Sequence, residues 1–260
     1  MVNEFIAAFI MAIVQAITEW VPVSSSGHLV LTSHLLKYNP GISFDLAVHF
    51  GTLIAVIIYF LKTIFAIIKD TLNLNFKTQN GKLGLYIIVA TIPAAIIGIL
   101  FRNFFENAFN SLTGVSIGFG ITGILLLIGS LNFKRTKKNK EIGFFRAFII
   151  GCFQIISIFP GVSRSGTTIS SGILFGLDEK TAMKFAFLIS IPIILGASLF
   201  GINLNTINPE MCWATIISFV VGLGTIHIIF TKILVKKENL RIFAIYALLL
   251  SLIVGIYTLI

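Results

Sequence analysis

The sequence predicts an all-α polytopic membrane protein, with six transmembrane helices plus two re-entrant helix-loop-helix hairpins in an inverted-topology repeat. Three observations carry that expectation. With 57% apolar residues and only 11% charged ones across 260 residues, and a mean hydropathy of +1.01, the chain has too little polar surface for a soluble globule. A serine-rich polar loop occurs twice, 139 positions apart, inside apolar stretches: Gln15 to His28 aligns without a gap on Gln154 to Thr167, and Ala8-Phe9-Ile10 matches Ala147-Phe148-Ile149 at the same offset. Basic residues, finally, fall unevenly between alternate loops.

Taking about 20 apolar residues as one crossing, the spans fall at 45–61, 84–101, 112–131, 183–202, 211–230 and 240–260. Two further apolar regions, 4–36 and 143–176, are each interrupted by one of the polar loops. Non-helical backbone is tolerated at membrane depth only where protein or a water-filled cavity surrounds it, so both regions read as re-entrant hairpins. Nothing in the first 36 residues resembles a cleavable signal peptide: no basic region precedes the apolar run, and Ser24-Ser25-Ser26-Gly27-His28 interrupts it. The chain then divides into a first repeat, 1–139, and a second, 140–260, within a single membrane domain.

Three spans per repeat is an odd number, so the second repeat enters the membrane upside down relative to the first. Lys62, Lys69, Lys77 and Lys82 follow the first span, and Lys134, Arg135, Lys137, Lys138, Lys140 and Arg146 follow the third. Lys180 and Lys184 lie beyond the second hairpin, and Lys232, Lys236, Lys237 and Arg241 follow the fifth span, whereas the opposite side carries only Lys37 and Arg102. The positive-inside rule places both termini outside, the linker at 132–142 in the cytoplasm, and the hairpin tips together near the midplane. The net charge of +9 is thereby a topology signal, and its spread over separate loops argues against nucleic acid as a partner.

The loops carry the chemistry. Gln15 and Glu19 sit one turn apart on one face of a helix that Pro22 ends. Ser24 or Ser25 caps a helix starting near Gly27, whose free N–H groups suit an anion. His28, one turn past Ser25, is placed to share a proton with it or with a bound phosphate. In the second loop Gly161 and Gly166 allow close backbone approach, Ser163, Ser165, Thr167 and Thr168 offer hydroxyls, and Arg164 brings a planar fork of donors matched to phosphate oxygens. Together these describe a site for a phosphorylated ligand, with Gln15, Ser24, Ser26, Gly27, Ser163, Ser165, Gly166 and Thr167 as its lining.

Structural readings stand beside these. The serines also serve as caps in a broken segment, and an intramembrane Arg164 needs a counter-charge, for which Glu19 is available. His34, His49 and His227 stand outside the loops and read as structural, with Asp45 and His49, one turn apart, as a hydrogen-bonded pair. The glycines of 114–129 permit close helix packing, Pro93 and Pro192 kink their spans, and Cys152 and Cys212 lack metal-ligand spacing.

Glu19-Trp-Val-Pro-Val-Ser-Ser-Ser-Gly-His28 and Pro160-Gly-Val-Ser-Arg-Ser-Gly166 resemble the two signature motifs of the undecaprenyl-diphosphatase family, also called the bacitracin-resistance proteins. Similar segments reach most of the chain: His49-Phe-Gly-Thr-Leu-Ile-Ala-Val, Ile92-Pro-Ala-Ala-Ile-Ile-Gly98 and Phe187-Leu-Ile-Ser-Ile-Pro192. The resemblance implies a multi-pass enzyme of the bacterial plasma membrane. It hydrolyses undecaprenyl diphosphate to the monophosphate with its site facing outward, and so recycles the lipid carrier of cell-wall synthesis. It places the family's Glu/Gln-x-x-x-Glu element on Gln15 and Glu19, its serine and histidine on Ser25 and His28, and its arginine on Arg164. Position 15 is the amide variant, which leaves the duty of base or charged ligand to Glu19.

On this reading Ser25 attacks the terminal phosphorus, His28 shuttles the proton, and Arg164 with the loop amides neutralises the transferred group. Direct attack by water, with Glu19 or His28 as base, is the competing route. Glu19 is also the tentative ligand of a divalent cation, Mg2+ or Ca2+, and with so few protein ligands such an ion shares substrate oxygens. The expected partners are the polyprenyl diphosphate and membrane lipids, with a homodimer left open. A polyprenyl-phosphate flippase or transporter using the same midplane site is the alternative function, and a receptor-like binder of phospholipid headgroups a third.

Overall fold

In the computed structural model, residues 3–108, 111–131, 141–233 and 239–260 are described. The loop lysines and arginine Lys134, Arg135, Lys137, Lys138, Lys140, Lys236 and Lys237, and the boundary between the repeats, lie outside them. All regular structure among the described residues is helical. The order is α1 (Glu4–Thr18), α2 (Ser25–Leu36), α3 (Ile42–Tyr59), α4 (Leu61–Leu72), α5 (Gln79–Leu100), α6 (Arg102–Ala108) and α7 (Leu112–Ser130). There follow α8 (Phe144–Ile156), α9 (Arg164–Leu174), α10 (Glu179–Gly201), α11 (Pro209–Ile228, continued by a π-turn over Ile229–Ile233) and α12 (Asn239–Tyr257).

Six helices are long and apolar enough to cross a membrane: Ile42–Tyr59, Gln79–Leu100, Leu112–Ser130, Glu179–Gly201, Pro209–Ile233 and Asn239–Tyr257. Each overlaps one expected span. The starts shift by a few residues where polar caps extend a helix past its apolar window: Thr78 caps α5, Asp178 caps α10 and Asn208 caps α11 through side-chain bonds to the first turn. Pro93 and Pro192 lie inside unbroken helices. Two helices were not expected. The pair α3 and α4 is one apolar run broken at Phe60, whose φ of −104° and ψ of 18° leave the helical region, and α4 lies on α5. Short α6 follows α5 directly. Lys62, Lys69 and Asp70 in α4 dilute its hydropathy, which hid it from a window scan.

The two expected hairpin regions are helix-break-helix units, α1 with α2 and α8 with α9. At about 1.5 Å per residue none of these four helices reaches the ~30 Å thickness of a hydrocarbon core. Their environments differ. Every residue of α9 from Ser165 to Gly172 is buried, because α7, α8 and α10 all pack on it. The counterpart α2 is half out in the open, with Leu35 79% exposed, and packs on α1 and α7 alone among its close neighbours.

The packing brings the halves together. Helix α1 lies on α11 and α8 on α5, a reciprocal exchange, while α3 meets α10 and α7 meets α12 along their lengths. The α7 and α12 backbones are tied by a mutual pair of bonds: Ser116 Oγ donates to Ser251 O at 2.8 Å and Ser251 Oγ to Ser116 O at 2.7 Å. Closest approach occurs where α7 meets the second loop. A Cβ on Gly118 would sit 2.7 Å from Gly161 Cα, so the residue must be glycine for the loop to lie on the helix. The core around Trp20, Leu53, Leu126, Ile169, Phe187 and Ile226 draws on both halves. Burying such side chains is worth about 1.5–3 kcal/mol each.

Candidate active site

The two loops end in the same side-chain cap, although Ser24 has a φ of 70° and Ser163 one of −72°. Ser24 caps α2 by accepting from Gly27 N–H at 3.3 Å, and Ser163 caps α9 by accepting from Gly166 N–H at 3.0 Å. Between the two sequence options for the first cap, the structure selects Ser24. Each cap hydroxyl lies beside the serine two residues on, Ser24 with Ser26 at 3.2 Å and Ser163 with Ser165 at 3.3 Å. Ser24 adopts φ 70°, a left-handed conformation that costs a non-glycine residue on the order of 1 kcal/mol.

Ser25 and Arg164 occupy equivalent positions of the two loops, and they converge on one carboxylate. Glu19 stands at the C-terminus of α1, its own N–H bonded to Gln15 O at 2.9 Å. Its Oε2 accepts from Ser25 Oγ at 2.5 Å and from Gln15 Nε2 at 3.1 Å. Its Oε1 is paired with the Arg164 guanidinium, which also donates to Ser190 O at 3.2 Å. The Glu19 side chain is 4% exposed and that of Arg164 15%. Loop two leans on loop one through Ser165 Oγ, which donates to Val21 O at 3.3 Å. The expected counter-charge of Arg164 is therefore in place, and the Ser25 proton points at a carboxylate.

Of the two partners the sequence offered His28, Ser25 or a bound phosphate, the structure does not give it Ser25. Its Nδ1 lies 2.7 Å from Ser24 O and its Nε2 2.7 Å from Tyr246 Oη on α12, and no bond joins it to Ser25. The carbonyl accepts only, so Nδ1 carries the proton. The ring stacks on Tyr246 at 5.8 Å and meets Phe119 edge-on at 5.3 Å. One turn after Ser25 in sequence, its ring meets Phe119 of α7 and Tyr246 of α12, while the Ser25 hydroxyl turns to Glu19 of the preceding loop.

Two residues outside the loops belong to the site. His49, expected to be structural, has Nε2 3.5 Å from Glu19 Oε2. Asp45 and His49 are hydrogen-bonded, as expected, through His49 Nδ1 and the Asp45 backbone oxygen at 2.7 Å. Thr122 of α7 pins the second loop, donating to Gly161 O at 2.9 Å and accepting from Ser163 N–H at 2.8 Å. No sequence signal marked Thr122. His49 had one, a polar residue one turn from an acid inside an apolar helix. Of the predicted lining, Thr167 is 1% exposed and spends its hydroxyl on Ser163 O at 2.7 Å, so it braces the loop. Gly27 is fixed by Phe119, whose ring a Cβ there would meet at 2.6 Å.

Among the described residues no three of His, Cys, Asp and Glu gather. Both oxygens of Glu19 already face donors, one of them the cationic Arg164, although the buried Gln15 Oε1 beside it has no protein partner. This set does not fit a resident ion held by the protein alone. A separate cavity of about 580 Å3, lined by Lys82, Tyr86, Glu141, Asp178 and Lys184, lies between α5 and α10 and shares no residue with the loops.

The fold and site define a polytopic helical membrane protein in which a buried Glu, Ser and Arg from two repeated loops meet in one hydrogen-bonded centre. The model of the family described as Bacitracin resistance protein BacA matches residues 8–253. The chain belongs to that family. Among its relatives is an undecaprenyl-diphosphatase of Methanococcus vannielii, 35% identical over 248 residues, covering 95% of this chain and 98% of the relative. Proteins of the same name from Thermosipho africanus and Moorella thermoacetica are 38% and 35% identical, each spanning 94% or more of this chain and 96% or more of their own.

Proposed function

We infer that this protein is a membrane phosphatase that hydrolyses undecaprenyl diphosphate to undecaprenyl phosphate and inorganic phosphate, the reaction its relatives' names specify. Recycling the lipid carrier in this way counters bacitracin. The observation that carries the mechanism is the meeting of Ser25 and Arg164, equivalent residues of the two loops, on opposite oxygens of Glu19. Nothing favours the flippase alternative.

In the mechanism we propose, Glu19 takes the Ser25 proton through their 2.5 Å bond as Oγ attacks the terminal phosphorus. The bond from phosphorus to the bridging oxygen breaks, undecaprenyl phosphate leaves, and a phosphoserine remains. Water then attacks that phosphorus, passing one proton to a phosphoryl oxygen, and the bond from phosphorus to Oγ breaks as Glu19 returns the serine proton, so Ser25 recovers its hydroxyl and phosphate departs. Arg164 swings from its carboxylate partner to the phosphoryl oxygens once the substrate's charge competes for it, and the α2 and α9 amides add fixed donors. His28 serves phosphate rather than serine: with Nδ1–H held on Ser24 O, its Nε2 is an acceptor and exchanges the Tyr246 hydroxyl for a protonated phosphate oxygen. A divalent cation, on this view, arrives on the diphosphate as part of the substrate.

The same reading makes α1–α2 and α8–α9 re-entrant hairpins of an inverted repeat, supported by their short helices, matched caps and reciprocal packing on α11 and α5. Both termini and the site then face outward. Rapid acid quench with labelled substrate followed by peptide mapping tests the chemistry. Phosphoserine at Ser25 supports it; undiminished turnover in Ser25→Ala excludes it and leaves direct attack by water. Membrane-impermeant thiol labelling of Lys37→Cys but not Lys77→Cys in whole cells is the outcome the orientation requires.

A further inference from the structure

Helices α2 and α12 both pack on α7, and neither is a close-packed neighbour of the other. What joins them is two histidine–tyrosine pairs. His28 Nε2 lies 2.7 Å from Tyr246 Oη, and His34 Nε2 lies 3.1 Å from Tyr257 Oη with the rings edge-to-face at 5.7 Å. On α12 the two tyrosines lie on one face with Leu250 and Ile253, at i, i+4, i+7 and i+11. On α2 the two histidines bracket Leu31 along an i, i+3, i+6 ridge, which runs obliquely to the helix axis. The paired residues lie about 9 Å apart along α2 and about 16 Å apart along α12, so the helices diverge rather than nest. Between the polar pairs both faces are apolar, and Ile253 is 62% exposed because α2 does not cover it. At its inner end the slot is floored by Phe119 of α7, against which His28 rests.

We propose that this slot between α2 and α12 receives the polyprenyl chain of the substrate next to its diphosphate, and that the two histidine–tyrosine pairs part to admit it sideways from the membrane. The proposal rests on the phosphatase reading above. The occupant follows from continuity and chemistry. Ser25 opens α2 and His28 lies one turn further along it, so a diphosphate on Ser25 directs its ester-linked chain along α2. The walls offer leucine and isoleucine, matched to branched hydrocarbon, and a histidine–tyrosine bond closes the slot at either end. The equivalent face of α9 is covered by α7, α8 and α10, so the second loop has no such exit.

The test compares undecaprenyl diphosphate with isopentenyl diphosphate, which carries the headgroup and almost no chain. Leu31→Trp and Ile253→Trp fill the slot from either wall without touching the loops. The expected result is a fall of about ten-fold in the long-to-short ratio of kcat/KM, carried by KM for the long substrate. In a chain with Cys152 and Cys212 replaced by alanine, a short reducible cross-linker between His34→Cys and Tyr257→Cys abolishes long-chain turnover, and reduction restores it. An unchanged ratio in both tryptophan variants, or long-chain turnover that persists when cross-linked, overturns the proposal. Equal losses on both substrates also overturn it, since they locate the damage at the loops. A folded wild type that hydrolyses neither substrate contradicts the phosphatase reading itself and removes the proposed occupant with it.

Discussion

Replacing Glu19 by glutamine separates the two duties assigned to this carboxylate, base for Ser25 and counter-charge for Arg164. The substitution is nearly isosteric and keeps an oxygen within reach of Ser25 and Gln15, now 2.5 and 3.1 Å from Oε2. It removes the acceptor that can hold the serine proton, and loss of a positioned general base lowers kcat by about 10²- to 10⁴-fold. It also strands a guanidinium that is 15% exposed, and breaking a buried pair from one side costs about 3–5 kcal/mol. For a chain of this size that corresponds to a drop in Tm of about 10 °C. Adding Arg164→Met to Glu19→Gln removes the orphaned charge and is expected to recover most of the Tm, because the pair as a whole contributes little net stability. Activity is not recovered. Phosphate release and thermal unfolding monitored by size exclusion in detergent read the two effects separately. Glu19→Gln with kcat within about three-fold of wild type would refute the assignment of Glu19 as base.

Further expectations follow from the same contacts. Thr122→Val keeps the volume but leaves the Ser163 N–H and the Gly161 carbonyl without their 2.8 and 2.9 Å partner, a cost of about 1–3 kcal/mol. Because Arg164 follows Ser163 directly, kcat should fall more than KM rises, and a pure KM effect counts against the bracing role. Gly27→Ala drives a methyl into the Phe119 ring at 2.6 Å, an overpacking of about 1–3 kcal/mol. Phe119→Leu in the same chain should restore part of the lost Tm; no rescue would place the strain elsewhere. Chelation is expected to lower turnover without moving the Tm of substrate-free protein, since the donors do not fit a resident ion. A lower Tm after chelation, restored by Mg2+ or Ca2+, would overturn that reading.

The spans were readable because lipid imposes a length and an apolar composition that a window detects directly. Their starts were less so: Thr78, Asp178 and Asn208 begin helices with polar residues that hydropathy excludes. Helix α4 escaped for the same reason. At the candidate site, the pairing of Arg164 with Glu19 was legible because a charge inside an apolar stretch needs a partner, and few exist. The orientation of His28 was not, since it depends on Tyr246, 218 residues away. His49 reaches Glu19 only through the packing of α3 on α1, which no local spacing encodes. The inequality of the two repeats, α9 enclosed and α2 half open, is likewise a property of the assembled bundle.

The central claim is that two repeated loops from opposite halves of the chain form one catalytic site for a lipid diphosphate. Phosphate release from undecaprenyl diphosphate by purified protein in detergent tests it most directly, comparing wild type with Ser25→Ala and Arg164→Ala. The account predicts release by the wild type and its loss in both variants, each still folded. Release that survives intact in either variant, or none from a folded wild type, would contradict it.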